Sequence, residues 1–168
     1  VVYTTNKEQT MLTTEKAITG YETVDVKASD PMAALIEFYY AFNTGNLELM
    51  SNNWENSDEA SMSNPLGGVK RGWDSIKEVY TNIFNGNAKV YVEYYDYSVH
   101  RSGEMFCAVG RERGYFQSGE QKIDLAIRTS RTYRMDCGRW HQIHHHGSID
   151  NPELLAAYQE AVLGKNIT

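Results

Sequence analysis

The chain has 168 residues, 41% of them hydrophobic and 23% charged, which suits one globular domain with a single core and is too short for two of ordinary size. Sixteen Lys and Arg against 22 Asp and Glu give a formal net charge of −6, which argues against partners such as nucleic acid or an anionic membrane surface. No stretch nears the roughly 20 apolar residues of a membrane helix, and no basic-then-apolar signal opens the chain, so a soluble protein is expected.

Cys107 and Cys137 are too few for a disulfide framework, lack a C-x-x-C spacing and read as free thiols. Twelve Tyr and three Trp exceed what closing a core needs and suit a pocket or a subunit interface.

Residues 1–29 are polar and Thr-rich, with a brief alternation at Val24 and Val26, and read as a flexible or docked arm with at most one short strand or helical turn. A chain starting at Val1 fits a trimmed cytoplasmic protein or a processed exported one, so the compartment stays open. Residues 30–168 read as the domain proper. Asp30-Pro31 supplies an N-cap and a fixed first helical dihedral, and Met32, Leu35, Ile36, Tyr39 and Phe42 form one apolar stripe that Gly45 terminates. A short helix over 47–54 follows, then a short strand within 58–63 and a reversing loop at Asn64-Pro65-Leu66-Gly67-Gly68. A third helix spans 73–84, carrying Ile76, Val79, Tyr80 and Ile83 at helical spacing. From there the period becomes two. Residues 89–99, 104–116, 122–134 and 140–148 predict four strands joined by short Gly-containing turns, an antiparallel meander. Asn151-Pro152 caps a last helix with Leu155, Tyr158 and Val162, stopped at Gly164. Helices followed by a meander predict an α+β fold, a long curved antiparallel sheet wrapped around the N-terminal helices with a cavity at its open end.

The order of elements and several motifs resemble the nuclear-transport-factor-two-like superfamily, a cone-shaped, cystatin-like roll, in its SnoaL-like branch. The carrying stretches are Phe-Tyr-Tyr-Ala-Phe-Asn-Thr-Gly-Asn-Leu in the first helix, Arg71-Gly-Trp-Asp-Ser-Ile, and Arg131 through Trp140-His-Gln-Ile-His144-His-His146-Gly-Ser148. The last is similar to the association (hub) domain of calcium/calmodulin-dependent kinase II. This resemblance implies either a small-molecule pocket, serving a cofactor-independent isomerase, cyclase or dehydratase with an enolate-like intermediate, or a non-catalytic module that assembles into dimers or larger rings.

Strand alternation places Trp140, Gln142, His144, His146 and Ser148 on one face and His141, Ile143 and His145 on the other. His144 is thus the candidate acid/base, with His146 beside it as a pocket ligand; the pair lacks a nameable third ligand, and no metal is assigned. Arg111 and Arg131 sit among apolar neighbours and need a partner, either an internal carboxylate such as Glu37, Glu93 or Glu112, or the carboxylate of a small organic ligand. The resemblance matches both to pocket arginines that favour anions. Tyr40, Tyr95 and Trp54 are candidate pocket walls, and Asp96 a candidate base if burial raises its pKa. No phosphate loop, nucleophile elbow or cofactor motif is present, so no cofactor is expected.

Overall fold

A computed structural model describes residues 12–13, 16–23 and 25–164, so residues 1–11 of the expected arm, and Val24, lie outside the described residues. In chain order the elements are β1 (Leu12–Thr13), α1 (Pro31–Thr44), α2 (Leu47–Asn53), β2 (Ser61–Ser63), β3 (Lys70–Arg71), α3 (Trp73–Asn85), β4 (Lys89–Ser102), β5 (Met105–Ser118), β6 (Gln121–Asp136), β7 (Arg139–Ser148) and α4 (Pro152–Leu163). The helix punctuation acts as the sequence predicts. Asp30 Oδ1 accepts from the Met32 N–H at 2.8 Å, and Gly45 ends α1 in the left-handed conformation at φ 66°.

The strands form one seven-stranded sheet in the order β1-β4-β5-β6-β7-β2-β3. The β4 to β7 meander is antiparallel throughout, while β2 lies parallel to β7, pairing Ser61 with His144 and Ser63 with His146. The sheet's concave face packs on α1, whose Leu35, Phe38 and Tyr39 are almost fully buried. Phe38 joins the core although it lies beside the predicted stripe, because α1 is covered by the sheet on one side and by Tyr80 of α3 on another.

Two irregularities bend the sheet. β4 bulges between Tyr95 and Ser98, where Asp96 takes φ 47°, and β7 shifts register at Ile143, where Thr132 pairs with His144 but Tyr133 with Gln142. Each bulge sharpens the local twist and inverts the in/out alternation beyond it.

The segment before α1 is pinned to the sheet edge. Ile18 exchanges backbone hydrogen bonds with Tyr94 at 2.7 and 2.9 Å, and Asn43 ties Thr19 to Val92. Gly20, at φ 91°, lies so close to α1 that a Cβ there would stand 2.2 Å from the Tyr40 nitrogen. No described helix is long and apolar enough to cross a membrane.

Candidate functional site: a small cavity above a buried Arg–Glu pair

Alternation along β6 turns Leu125, Ile127, Thr129, Arg131 and Tyr133 inward, which puts a guanidinium in the core. Arg131 is 2% exposed. Its Nη2 donates to Glu112 Oε1 at 2.7 Å, its Nε to the Tyr39 hydroxyl at 3.2 Å and its Nη1 to Gln142 Oε1 at 3.1 Å, while the guanidinium carbon sits 3.5 Å from the Phe38 ring centroid. Tyr39 in turn donates to Glu112 Oε1 at 2.6 Å. Burial opposes the Arg131 charge, but Tyr39 and Glu112 outweigh it and hold its pKa well above the ordinary value. Of the alternatives open in the sequence, the fork is therefore taken by an internal carboxylate, Glu112, which the even-numbered positions of β5 turn inward with Phe106, Ala108 and Phe116.

Above this pair lies a cavity of about 70 Å³. Its polar lining includes Glu112, Arg131 and His145, its apolar walls side chains such as Phe38, Val79 and Ile127, and Pro65, Leu66 and Tyr158 line it as well. Both hydrogen bonds that reach Glu112 among the described residues end on Oε1, so Oε2 is the oxygen left to the cavity. His145 is 8% exposed and neither ring nitrogen has a hydrogen-bond partner. Burial, reinforced by the Arg131 charge, pushes its pKa well below that of an ordinary histidine, so the imidazole is neutral, with one N–H to donate and one nitrogen to accept. The cavity thus joins a carboxylate oxygen and a neutral imidazole over one small apolar space.

The bulge at Ile143 corrects the predicted histidine alternation. Inward-facing Trp140 and Gln142 are followed by inward-facing His145, so His144 and His146 point to the outer face of the sheet. There His144 Nδ1 meets Ser61 Oγ at 2.8 Å, and His146 borders a shallow groove with Arg111 and Asp96. Arg111 and Asp96 also face outward, paired at 3.3 Å with side chains 61% and 70% exposed, so neither the expected pocket arginine nor the expected buried base reaches the cavity. Tyr40 and Tyr95 each lie one residue from the inward position: Tyr39 and Tyr94 are the buried neighbours, while Tyr40 is edge-on to Tyr21 and Tyr95 stacks under Arg113 on the outer face. Trp54 is buried, yet it stacks on Trp73 in the packing between α2 and α3 and does not line the cavity. Among the described residues no group of three or more His, Cys, Asp or Glu side chains comes together as a metal site.

An open α+β cone with a polar-ended cavity between sheet and helices is a fold shared by small-molecule enzymes and silent assembly domains. The profile of the SnoaL-like domain matches residues 32–152, and the chain belongs to that family. No curated protein matches the chain. Among solved structures it is similar to a nuclear-transport-factor-two-like protein of unknown function in nutrient uptake from Rhodospirillum rubrum, at 20% identity over 73% of this chain and 99% of that one, with a TM-score of 0.62. It is also similar to the association domain of C. elegans CaMKII (21% identity, 70% and 92% covered, TM-score 0.58) and to a ketosteroid isomerase-like protein from Erwinia carotovora atroseptica (19%, 72% and 94%, 0.60). At these identities the likenesses establish the fold.

Proposed function

We propose that this domain binds a small, uncharged organic molecule in the cavity and moves a proton on it, without a cofactor. The observation that carries this reading is His145, buried, neutral and unpartnered, lining the same cavity as Glu112, whose Oε2 accepts no hydrogen bond among the described residues. A polar side chain buried in that state is costly unless a ligand or water satisfies it. Because Glu112 already neutralises Arg131, an uncharged carbonyl compound suits this floor better than the carboxylate ligand the sequence suggests.

In this reading Glu112 Oε2 takes the proton from a carbon beside the carbonyl, and the His145 N–H stabilises the enolate-like oxygen. Returning the proton to another carbon gives an isomer; expelling a β-hydroxyl as water, with the same proton, gives a dehydration product. Arg131 and Tyr39 act by fixing Glu112. Native mass spectrometry of the purified protein tests this: wild type and His144→Ala are expected to retain a small molecule that His145→Ala loses. Equal retention by all three would sink the assignment.

A second reading concerns the outer face of the sheet, where Met105 and Val109 are 42% and 47% exposed on β5. With the similarity to an association domain, this favours self-association through that face. Sedimentation of Val109→Glu is expected to give a lighter species than wild type, and an unchanged mass would reject it.

A further inference from the structure

Two separate pieces outside the sheet and helices α1 to α3 also line the cavity: Pro65 and Leu66 of the β2–β3 loop, and Tyr158 of α4, a helix that begins where the family match ends at residue 152. α4 buries none of its residues fully. Its Tyr158 ring rests edge-on against Phe116, with centroids 5.9 Å apart. One side-chain hydrogen bond joins the two pieces, from Gln159 Nε2 to the Pro65 carbonyl at 2.9 Å. On the loop side, Gly67 and Gly68 both have positive φ, and a Cβ on either would touch nothing, so this hinge has room to swing.

Two features bear on how a ligand would enter. The cavity, about 70 Å³, holds a few waters, whereas pockets for organic ligands run to roughly 300 Å³ or more, so an organic ligand needs the cavity to widen. Tyr158 is half-buried and lines the same cavity as Glu112 and His145; burial and the Glu112 charge push the pKa of its hydroxyl up to about 12, and that hydroxyl makes no hydrogen bond among the described residues. A phenol placed there without a protein partner can donate to a ligand or accept from one.

We propose that α4 is a lid latched to the β2–β3 loop by Gln159, and that Tyr158 is a ligand-binding residue carried on that lid. The inference rests on the cavity being the ligand site. It makes opening and recognition properties of one helix, since moving α4 both admits the ligand and withdraws a hydrogen-bonding group from it. Losing one neutral hydrogen bond shifts a closed-to-open equilibrium by about 2- to 12-fold, which sets the size of effect expected from cutting the latch.

The test uses prodan, a neutral naphthalene ketone whose emission reports an apolar site, in stopped-flow binding to the full chain. Gln159→Ala is expected to raise the association and dissociation rates together, by about 2- to 12-fold, with Kd within about twofold of wild type. Tyr158→Phe is expected to weaken Kd about 5-fold with an unchanged association rate. Ile127→Phe and Val79→Phe, which fill the cavity and are checked for folding by circular dichroism, are expected to abolish binding. If the filled variants bind prodan as wild type does, or wild type binds none, the cavity reading fails and the lid with it. If filling abolishes binding while both Gln159→Ala rates stay at wild-type values, the cavity stands and the lid is refuted.

Discussion

Replacing Arg131 by Met is expected to cost the protein about 3–5 kcal/mol of stability. The substitution leaves the Glu112 carboxylate, 4% exposed, with the Tyr39 hydroxyl as its one remaining hydrogen-bond donor among the described residues, and takes the donor from Gln142 Oε1. A buried charge without its counter-charge is the expensive state; the pair itself is close to break-even, because its attraction mainly offsets the desolvation of both groups. The double variant Arg131→Met, Glu112→Leu, whose new side chains meet Phe38 and Ile127, is therefore expected to lie within about 2 kcal/mol of wild type, far short of the sum of the single effects. Arg111→Met provides the contrast: that pair with Asp96 is mostly exposed and should be worth under about 1 kcal/mol. Urea unfolding followed by fluorescence of the buried Trp54, Trp73 and Trp140 measures these three variants and the single variant Glu112→Leu. Single effects at Arg131 and Glu112 that simply add, or an Arg131 effect no larger than that of Arg111, would refute the picture of a coupled buried pair.

The folded state keeps His145 neutral well below the pH at which the unfolded chain protonates it, near 6.5, so the unfolded state binds more protons as the pH falls. Stability should thus decline below about pH 6.5, by up to about 1.4 kcal/mol per pH unit from this residue, with no contribution above it; His145→Gln should flatten urea midpoints between pH 6.5 and 5.5, and parallel curves would contradict this. Asp96→Gly relieves a positive φ while losing only an exposed ion pair, so its thermal midpoint should match or exceed that of wild type, and a drop of several degrees would show the bulge needs the carboxylate. Gly20→Ala forces a Cβ into the α1 backbone and is expected to destabilise by about 2 kcal/mol or more; an unchanged denaturation midpoint would mean that the segment's docking contributes nothing to stability.

Helix caps and strand periods were legible because they are local: Asp30-Pro31, Gly45 and Asn151-Pro152 act through neighbours within a turn. The site was legible only where alternation ran unbroken. Arg131 is inward because nothing interrupts β6, and Glu112 could have been read the same way, since Phe106, Ala108 and Phe116 already mark the even positions of β5 as core. His145 could not. A bulge costs one residue of register, and Ile143 carries no glycine, proline or charge to announce it, so the histidine run inverted without a local signal. Asp96 sits at the other bulge for the same reason. Tyr39 and Tyr40 illustrate a different limit: the helical stripe already contained Tyr39, and only the tertiary arrangement separates its buried hydroxyl from its neighbour's exposed ring.

The parallel pairing of β2 with β7 also bears on how the chain reaches this state. Ser61 and His144, hydrogen-bonded across the sheet, are 83 residues apart, and the inward face of α1 meets its sheet partners only once β4 to β7 exist. During synthesis the helical part emerges first; its own aromatic contacts, such as Phe38 with Tyr80 and Trp54 with Trp73, need no sheet, but the sheet-facing side of α1, with Tyr39 stacked on Tyr94, waits for the meander. The core of such a chain is completed late, and the sheet-facing side of its early-emerging helices is the part most in need of protection from premature association.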